Sequence, residues 1–464
     1  MLENRVVKPE LVGGTRDMLP ADAFARQFVF STIQGVYESF GFVPLDTPCM
    51  EKWGVLTGGD PHFNKSIFAV NVVRGAEDKS KPVSVLAEED VALRFDLTVS
   101  LARVVAAYPD LPKPFKRYQY GKVFRGEQPQ AGRFREFFQF DFDIIGSQSI
   151  LADIEVVQVM YETMKALGAP KFVVRFNTRK ILNGLVEAVG CTERSKDILR
   201  VIDKTDKIGV EAVTAELRRR PDNLYDESAI AMDEKGVELV GMFLRIEPGK
   251  SNTVIEKVKK ILGERSRIAQ EGIKELEEIC FGLSLLGIPE DFWRVDLSVA
   301  RGLDYYTGPV FETYLTDFPE LGSVFSGGRF DGLTNRFMPN SNIAGVGASV
   351  GVDRLIIGMQ RLGLLKLKES NTKVLVTIFG PELRDISLSF SNRLRQAGCR
   401  TEVYLGNDST LRAQLTYAAK REIPYVVVIG PNETVSGKVQ LKDMTTRTQR
   451  LLTQDECVAI LSRN

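Results

Sequence analysis

The chain has 464 residues, more than one core of ordinary size would take, which predicts two to four domains. Hydrophobic residues make up 44% and charged residues 26%, as in folded globular proteins, and Lys plus Arg equals Asp plus Glu at 61 each, so whole-chain charge gives no support for nucleic-acid binding. A single histidine, His62, excludes a multi-histidine metal site and argues against a Ser/His/Asp or Cys/His nucleophile, so no metal-ligating residues are expected. The five cysteines (Cys49, Cys191, Cys280, Cys399, Cys457) are scattered without metal-ligand spacing and read as reduced thiols. No apolar run approaches the roughly eighteen residues of a membrane helix, and MLENRVVKPE lacks the pattern of a signal peptide.

From about Asp22 to Phe40 the pattern predicts an amphipathic helix with Val29, Ile33, Val36 and Phe40 on one stripe. A strand from Phe42 to Thr47 follows and stops at Pro48, as suits an edge. Strand-like segments continue at Val83 to Leu86 and Ala92 to Leu97. FRGEQPQAGRFREFFQFDFDIIG, Phe124 to Gly146, reads as two strands joined by a loop. Phe138, Phe140, Phe142 and Ile144 alternate there with Gln139, Asp141 and Asp143, which gives one packed and one polar strand face. The loop carries Arg125, Arg133 and Arg135 beside Glu127 and Glu136. Planar guanidinium groups make bidentate contacts to phosphate or carboxylate, so three on one short loop suggest a polyphosphate. No GxxxxGK[ST] loop occurs, so a nucleotide would have to be held in another way.

Another strand is expected at Phe172 to Phe176, and from about Thr178 to Leu286 the pattern turns helical and highly charged. Strand signals return at Trp293 to Ser298, Pro309 to Tyr314 and Gly345 to Ser349, the last leading into a helix from about Val352. Beyond the polar stretch Lys366 to Lys373, strand and helix alternate: VLVTIF, a helix around Leu388 to Gln396, TEVYLG, a helix around Leu411 to Glu422, then YVVVIG and KVQLKDM. This predicts a separate α/β domain. It holds 13 Lys plus Arg against 9 Asp plus Glu from Lys373 to Asn464, an excess of four, which permits RNA contact without demanding it.

Two further segments carry chemistry. ARGLDYYTGPVFETYL, from Ala300, joins an arginine and a tyrosine pair to a strand, and GVGASVGVDRLI places glycines 345, 347 and 351 before Arg354. Glycine permits close backbone approach, and Arg354 enters a helix. With the hairpin, these segments resemble the three motifs of class II aminoacyl-tRNA synthetases: Pro48 in motif 1, Arg125 in motif 2 and Arg354 in motif 3. LRFDLT (93–98), RGLDYYTG (301–308) and SGGRFDGL (326–333) narrow the resemblance to the histidyl-tRNA synthetase family, and GGTRDMLP, FNTRKILNGL and DKTDKIG extend it over nearly the whole chain. The family often has GGGRYD where Ser326 and Phe330 depart from it here, and many bacterial members carry Glu at Asp96 and Asp143.

The resemblance implies an α+β fold: a class II antiparallel sheet with flanking helices, a helical insertion and a C-terminal α/β anticodon-binding domain. The corresponding spans are 1–177 and 289–365 for the catalytic domain, 178–288 for the insertion and 373–464 for the last domain. It implies a cytoplasmic homodimer, with no membrane contact, that joins histidine to tRNA(His) through histidyl-adenylate, with ATP as substrate and Mg²⁺ in attendance. The alternative is a non-catalytic, synthetase-like regulatory subunit of histidine biosynthesis, which generally lacks the last domain and the motif arginines. The reaction brings a carboxylate to an α-phosphate of the same sign, a repulsion of roughly 4 kcal/mol at about 4 Å and an effective dielectric of 20. By resemblance Arg125 and Arg301 are catalytic, touching the histidine carboxylate and α-phosphate from two sides. Glu127, Arg133 and Arg354 would hold ATP. Asp96 and Thr98 suit the α-ammonium, Gln139 serves both ends, Asp143 and Tyr306 read the imidazole nitrogens, and Tyr305 shapes the wall.

Overall fold

The computed structural model describes residues 8–58, 67–71, 90–129, 132–220, 229–299, 306–365 and 367–462. His62, the strand expected at Val83 to Leu86, and Arg301 and Tyr305 lie outside the described residues. The chain divides into two compact units, Met1–Arg16 with Phe28–Leu365, and Asp17–Gln27 with Lys366–Asn464.

The first helix runs Pro20–Ser39. Val29, Ile33 and Tyr37, spaced four apart, are fully buried, so Tyr37 takes the place on the stripe expected of Val36. Gly41, at φ 79°, ends the helix, with the Gly41 and Phe42 amides donating to the Glu38 and Tyr37 carbonyls.

The strands of the first unit are β1 (Val43–Pro44), β2 (Met50–Lys52), β3 (Val91–Leu93), β4 (Phe115–Phe124), β5 (Glu136–Ile145), β6 (Phe172–Thr178), β7 (Trp293–Val295), β8 (Pro309–Leu315), β9 (Phe325–Arg329) and β10 (Gly345–Gly351). Among the described residues eight of them form one sheet in the order β1-β4-β5-β10-β9-β8-β6-β7, and β2 pairs with β3 in a separate ribbon. The large sheet is antiparallel except at its ends, where β1 runs parallel to β4 and β7 to β6.

The alternation in β5 divides the sheet faces as the sequence predicts. Phe140 and Phe142 are fully buried, with the Tyr37 ring 5.2 and 4.7 Å from theirs. Removing such a ring costs roughly 3–5 kcal/mol, so this aromatic layer fixes which β5 face turns to the first helix. The strand expected from Ala92 to Leu97 is a correction: it stops at Leu93. Arg94 turns inward there, donating through Nη1 to the Thr47 carbonyl at 2.6 Å and through Nε to that of Lys122 at 2.9 Å. Asp96 Oδ1 then accepts from the Val99 amide at 3.0 Å and starts a helix, Thr98–Ala107. β9, which the sequence pattern did not indicate, is short and contains Gly327 and Gly328.

Helices fill the charged region from Arg179–Ala188 to Arg267–Leu285. In the second unit β11 (Val374–Val376), β12 (Thr401–Val403), β13 (Tyr425–Val428), β14 (Lys438–Asp443) and β15 (Gln449–Thr453) pair in the order β12-β11-β13-β14-β15. The helix expected near Leu388 begins earlier, at Pro381, because Gly380 and a proline in the first turn make a helix entry. β15 went unseen because it is mostly exposed and lacks alternation.

Candidate active site

Strand register builds a polar floor on the sheet face opposite the aromatic layer. One row crosses five strands as Gln119, Asp141, Ser349, Ser326 and Glu312. The next row is Arg117, Asp143, Gly347, Gly328 and Val310. Residues in register share a face, so five acidic or hydroxyl side chains and two glycines meet there. The glycines are spatial necessities. A Cβ on Gly347 would stand 2.2 Å from Asp143 Oδ1, and one on Gly328 would stand 2.8 Å from the Tyr306 ring. These contacts account for Gly347 and Gly328, neither of which has a positive φ, better than backbone freedom does.

The floor is hydrogen-bonded across strands. Gln139 Nε2 donates to Ser349 Oγ at 2.8 Å, and Ser349 Oγ donates to Asp141 in a very short bond. Gln139 Oε1 is buried with no protein partner among the described residues. Arg117 Nη2 lies 2.6 Å from Asp143 Oδ2. Burial pushes the Asp141 carboxyl up to about 7 and that of Asp143 up to about 6, with Arg117 pulling both down. Burial raises Asp96 also, opposed by the Val99 amide and then by Arg125.

Above the floor lies a cavity of about 390 Å³, within the range of small-ligand sites. The hairpin loop supplies one wall. Arg125 Nε donates to the Phe95 carbonyl at 3.2 Å and its guanidinium stands 5.1 Å from the Phe137 ring centroid, while Arg133 pairs with Glu127 at 3.4 Å. Arg135 corrects the expectation of three anion-binding arginines: it does not line the cavity, and donates to the carbonyls of Glu127 and Gly13. Opposite, the helix Val352–Arg361 brings in Arg354, which donates to the Ser323 carbonyl at 2.8 Å. Asp353 beside it accepts from Arg16 at 2.6 Å and from the Phe138 amide at 2.8 Å, so the GGTRDMLP segment braces loop and helix together.

Asp96, Thr98, Arg125, Glu127, Arg133, Gln139, Asp143, Tyr306 and Arg354, drawn from distant segments, all line this one cavity. Arg301 and Tyr305 fall outside the described residues. Sequence reasoning passed over Glu312 and Ser349, which line the cavity, and Arg16 and Arg117, which brace it. The period-two run of Arg117, Gln119 and Gly121 in KRYQYG was the available signal for Arg117, and it becomes informative only once paired with β5.

Comparison with known proteins agrees along the whole length. The sequence profile described as "Histidyl-tRNA synthetase" matches residues 14–355, and that described as "Anticodon binding domain" matches 373–464. The chain is 37% identical to histidine–tRNA ligase of Clostridium tetani, over 99% of each chain, and 40% identical to that of Wolinella succinogenes, over 96% of each. Its fold superposes on the crystal structure of histidyl-tRNA synthetase from Nostoc sp. PCC 7120 with a TM-score of 0.83 at 31% identity, covering 99% of this chain and 100% of that one. The chain belongs to the histidyl-tRNA synthetase family.

Proposed function

We propose that the cavity joins histidine to ATP as histidyl-adenylate and that the chain then passes histidine to the 3′ end of tRNA(His). The observation that carries this reading is the joining of two unlike surfaces in one cavity. A buried floor presents Gln139 and Asp143, and a rim presents Arg125, Arg133 and Arg354. The floor suits a neutral or cationic heteroaromatic side chain, and the rim suits phosphates. Asp96 and Thr98, at the start of the helix Thr98–Ala107, would take the α-ammonium. Asp143 would accept from one imidazole nitrogen while Tyr306, whose ring lies on Gly328, engages the other. Arg125, between floor and rim, would bridge carboxylate and α-phosphate, with Arg301 meeting that phosphate from the other side. Arg354 would hold the γ-phosphate, and Glu127 with Arg133 the adenine and outer phosphates.

Mg²⁺ takes oxygen ligands, and Glu127 and Glu312, both on the cavity wall, would be the carboxylates to hold it; the ion would neutralise phosphate charge. Residues 1–177 and 289–365 would form the catalytic domain, 178–288 its helical insertion, and 373–464 the domain that binds the anticodon, a division the matched anticodon-binding profile supports for the last part. On the same reading the working form is a homodimer in the cytoplasm, where translation takes place. The regulatory-subunit alternative fits less well, because Arg125 and Arg354 are both in place and the anticodon-binding segment is present.

ATP–pyrophosphate exchange with each of the twenty amino acids tests the reading. Exchange with histidine alone is the expected outcome. Exchange with another amino acid, or with none, would overturn it.

A further inference from the structure

Arg117 is a large charged side chain buried in the cavity floor behind the residues that line it. It is fully buried, it does not line the cavity, and its guanidinium meets Asp143 at 2.6 Å. Its Nη2 also points at the Leu97 carbonyl, 3.5 Å away, and Leu97 separates Asp96 from Thr98. Its Nε and Nη1 are buried with no hydrogen-bond partner among the described residues. Stability does not explain such a group, since a buried ion pair seldom outperforms apolar residues of the same volume and unpartnered buried nitrogens add to its cost.

We propose that Arg117 is a positioning residue for amino-acid recognition, dividing the Asp143 carboxylate so that one oxygen is bound by the guanidinium and the other stays turned to the substrate. The proposal rests on the reading of Asp143 as the imidazole acceptor. The geometry supports the division. Oδ2 faces Arg117 as an ion pair, with no hydrogen bond of its own among the described residues, whereas Oδ1 lies over Gly347, whose lack of a side chain leaves the space. Without Arg117 the carboxyl would face Asp141 on its own strand and Asp96 from the adjoining segment, and the nearby Arg125 and Arg336 act on Asp96 rather than on Asp143. Tyr37 approaches from the other sheet face with its hydroxyl also unpartnered, and supplies no charge. Asp143 would then hold a proton to higher pH and lose the acceptor that the imidazole N–H needs. Asp141 has its own donor in Ser349 and depends less on Arg117 for orientation.

The test is a double-variant cycle read by pyrophosphate exchange over pH 5 to 8, with histidine and ATP dependences measured separately. Arg117→Met should raise the histidine KM by about tenfold or more, leave the ATP KM within about twofold, and move the pH below which histidine binding fails upward from about 6. Arg117→Lys should recover part of the loss. In Arg117→Met/Asp143→Asn the histidine KM should be no worse than in Asp143→Asn alone, because the residue acts through that carboxylate. This comparison also serves if Arg117→Met is unstable by itself, since the double variant removes both charges. Multiplying losses, or an unmoved pH profile in Arg117→Lys and the double variant alike, would overturn the proposal. An unchanged histidine KM in Asp143→Asn would instead overturn the role of Asp143 on which it stands.

Discussion

The floor and the rim of the cavity hold their charges in opposite ways. On the floor, Arg117 and Asp143 are 0% and 3% exposed and fixed by strand register, whereas on the rim the side chains of Arg133 and Glu127 remain 52% and 38% exposed. Buried polar groups discriminate because an ill-fitting ligand leaves them unpaired, and the cost is not screened by salt. An exposed pair contributes roughly 0–1 kcal/mol and can be exchanged for phosphate contacts at little cost. On the proposed function, the contrast would put selectivity for the amino acid in the floor and attraction for the nucleotide in the rim.

Arg125 is where the comparison can be broken most severely, since it stands at the junction of the two. Arg125→Ala should lower exchange by ~10²–10³-fold, the usual loss when a donor to developing charge is removed. Its histidine and ATP dependences should both suffer. A loss confined to one substrate would assign Arg125 to one surface only. Gly347→Ala comes next, because the added Cβ would displace Asp143 Oδ1 from 2.2 Å and press on the Phe142 carbonyl at 2.4 Å. A displacement of about 1 Å at a site costs on the order of 10²-fold. The loss should fall in the histidine term, and undiminished histidine affinity in a folded Gly347→Ala protein would show that the floor does not read the amino acid.

A smaller effect concerns pH. Burial raises Asp141 from its ordinary 3.8 to about 7, so between these values the folded protein keeps a proton that the unfolded chain has lost. Stability of the unliganded protein therefore falls as pH rises through this window and levels off above about 7, with a slope of at most ~1.4 kcal/mol per pH unit from this group. Asp143 and Asp153, both raised to about 6, add to the slope only in its lower part. Denaturant titrations at pH 6 and 7.5 should thus show a decline that Asp141→Asn flattens. An equal decline in that variant would place the proton elsewhere.

Much of this arrangement could be read from the sequence, and the omissions share a cause. The alternation of β5 gave the packed and polar faces without help, because period two is a local property. The motif resemblance brought nine cavity residues together from segments far apart in the chain. Arg117, Ser349 and Glu312 were missed because each acquires meaning only through cross-strand register, which no single segment encodes. Arg135 misled for the converse reason: it has the same chemistry as its neighbours on the loop, and only the position of the Gly13 and Glu127 carbonyls gives it a structural task. The early end of β3 likewise depended on Thr47 and Lys122, distant acceptors that draw Arg94 out of strand geometry.

The most direct test of the division between floor and rim is the histidine and ATP dependence of pyrophosphate exchange in Asp143→Asn beside Asp141→Asn. An asparagine at 143 puts an NH₂ group where an acceptor is needed, at a cost of ~1–3 kcal/mol. An asparagine at 141 can still accept from Ser349 through its carbonyl oxygen. The expected result is a histidine KM raised about five- to a hundredfold in Asp143→Asn, a far smaller change in Asp141→Asn, and an ATP KM nearly constant in both. Equal losses in the two variants, or a loss in the ATP term alone, would contradict it.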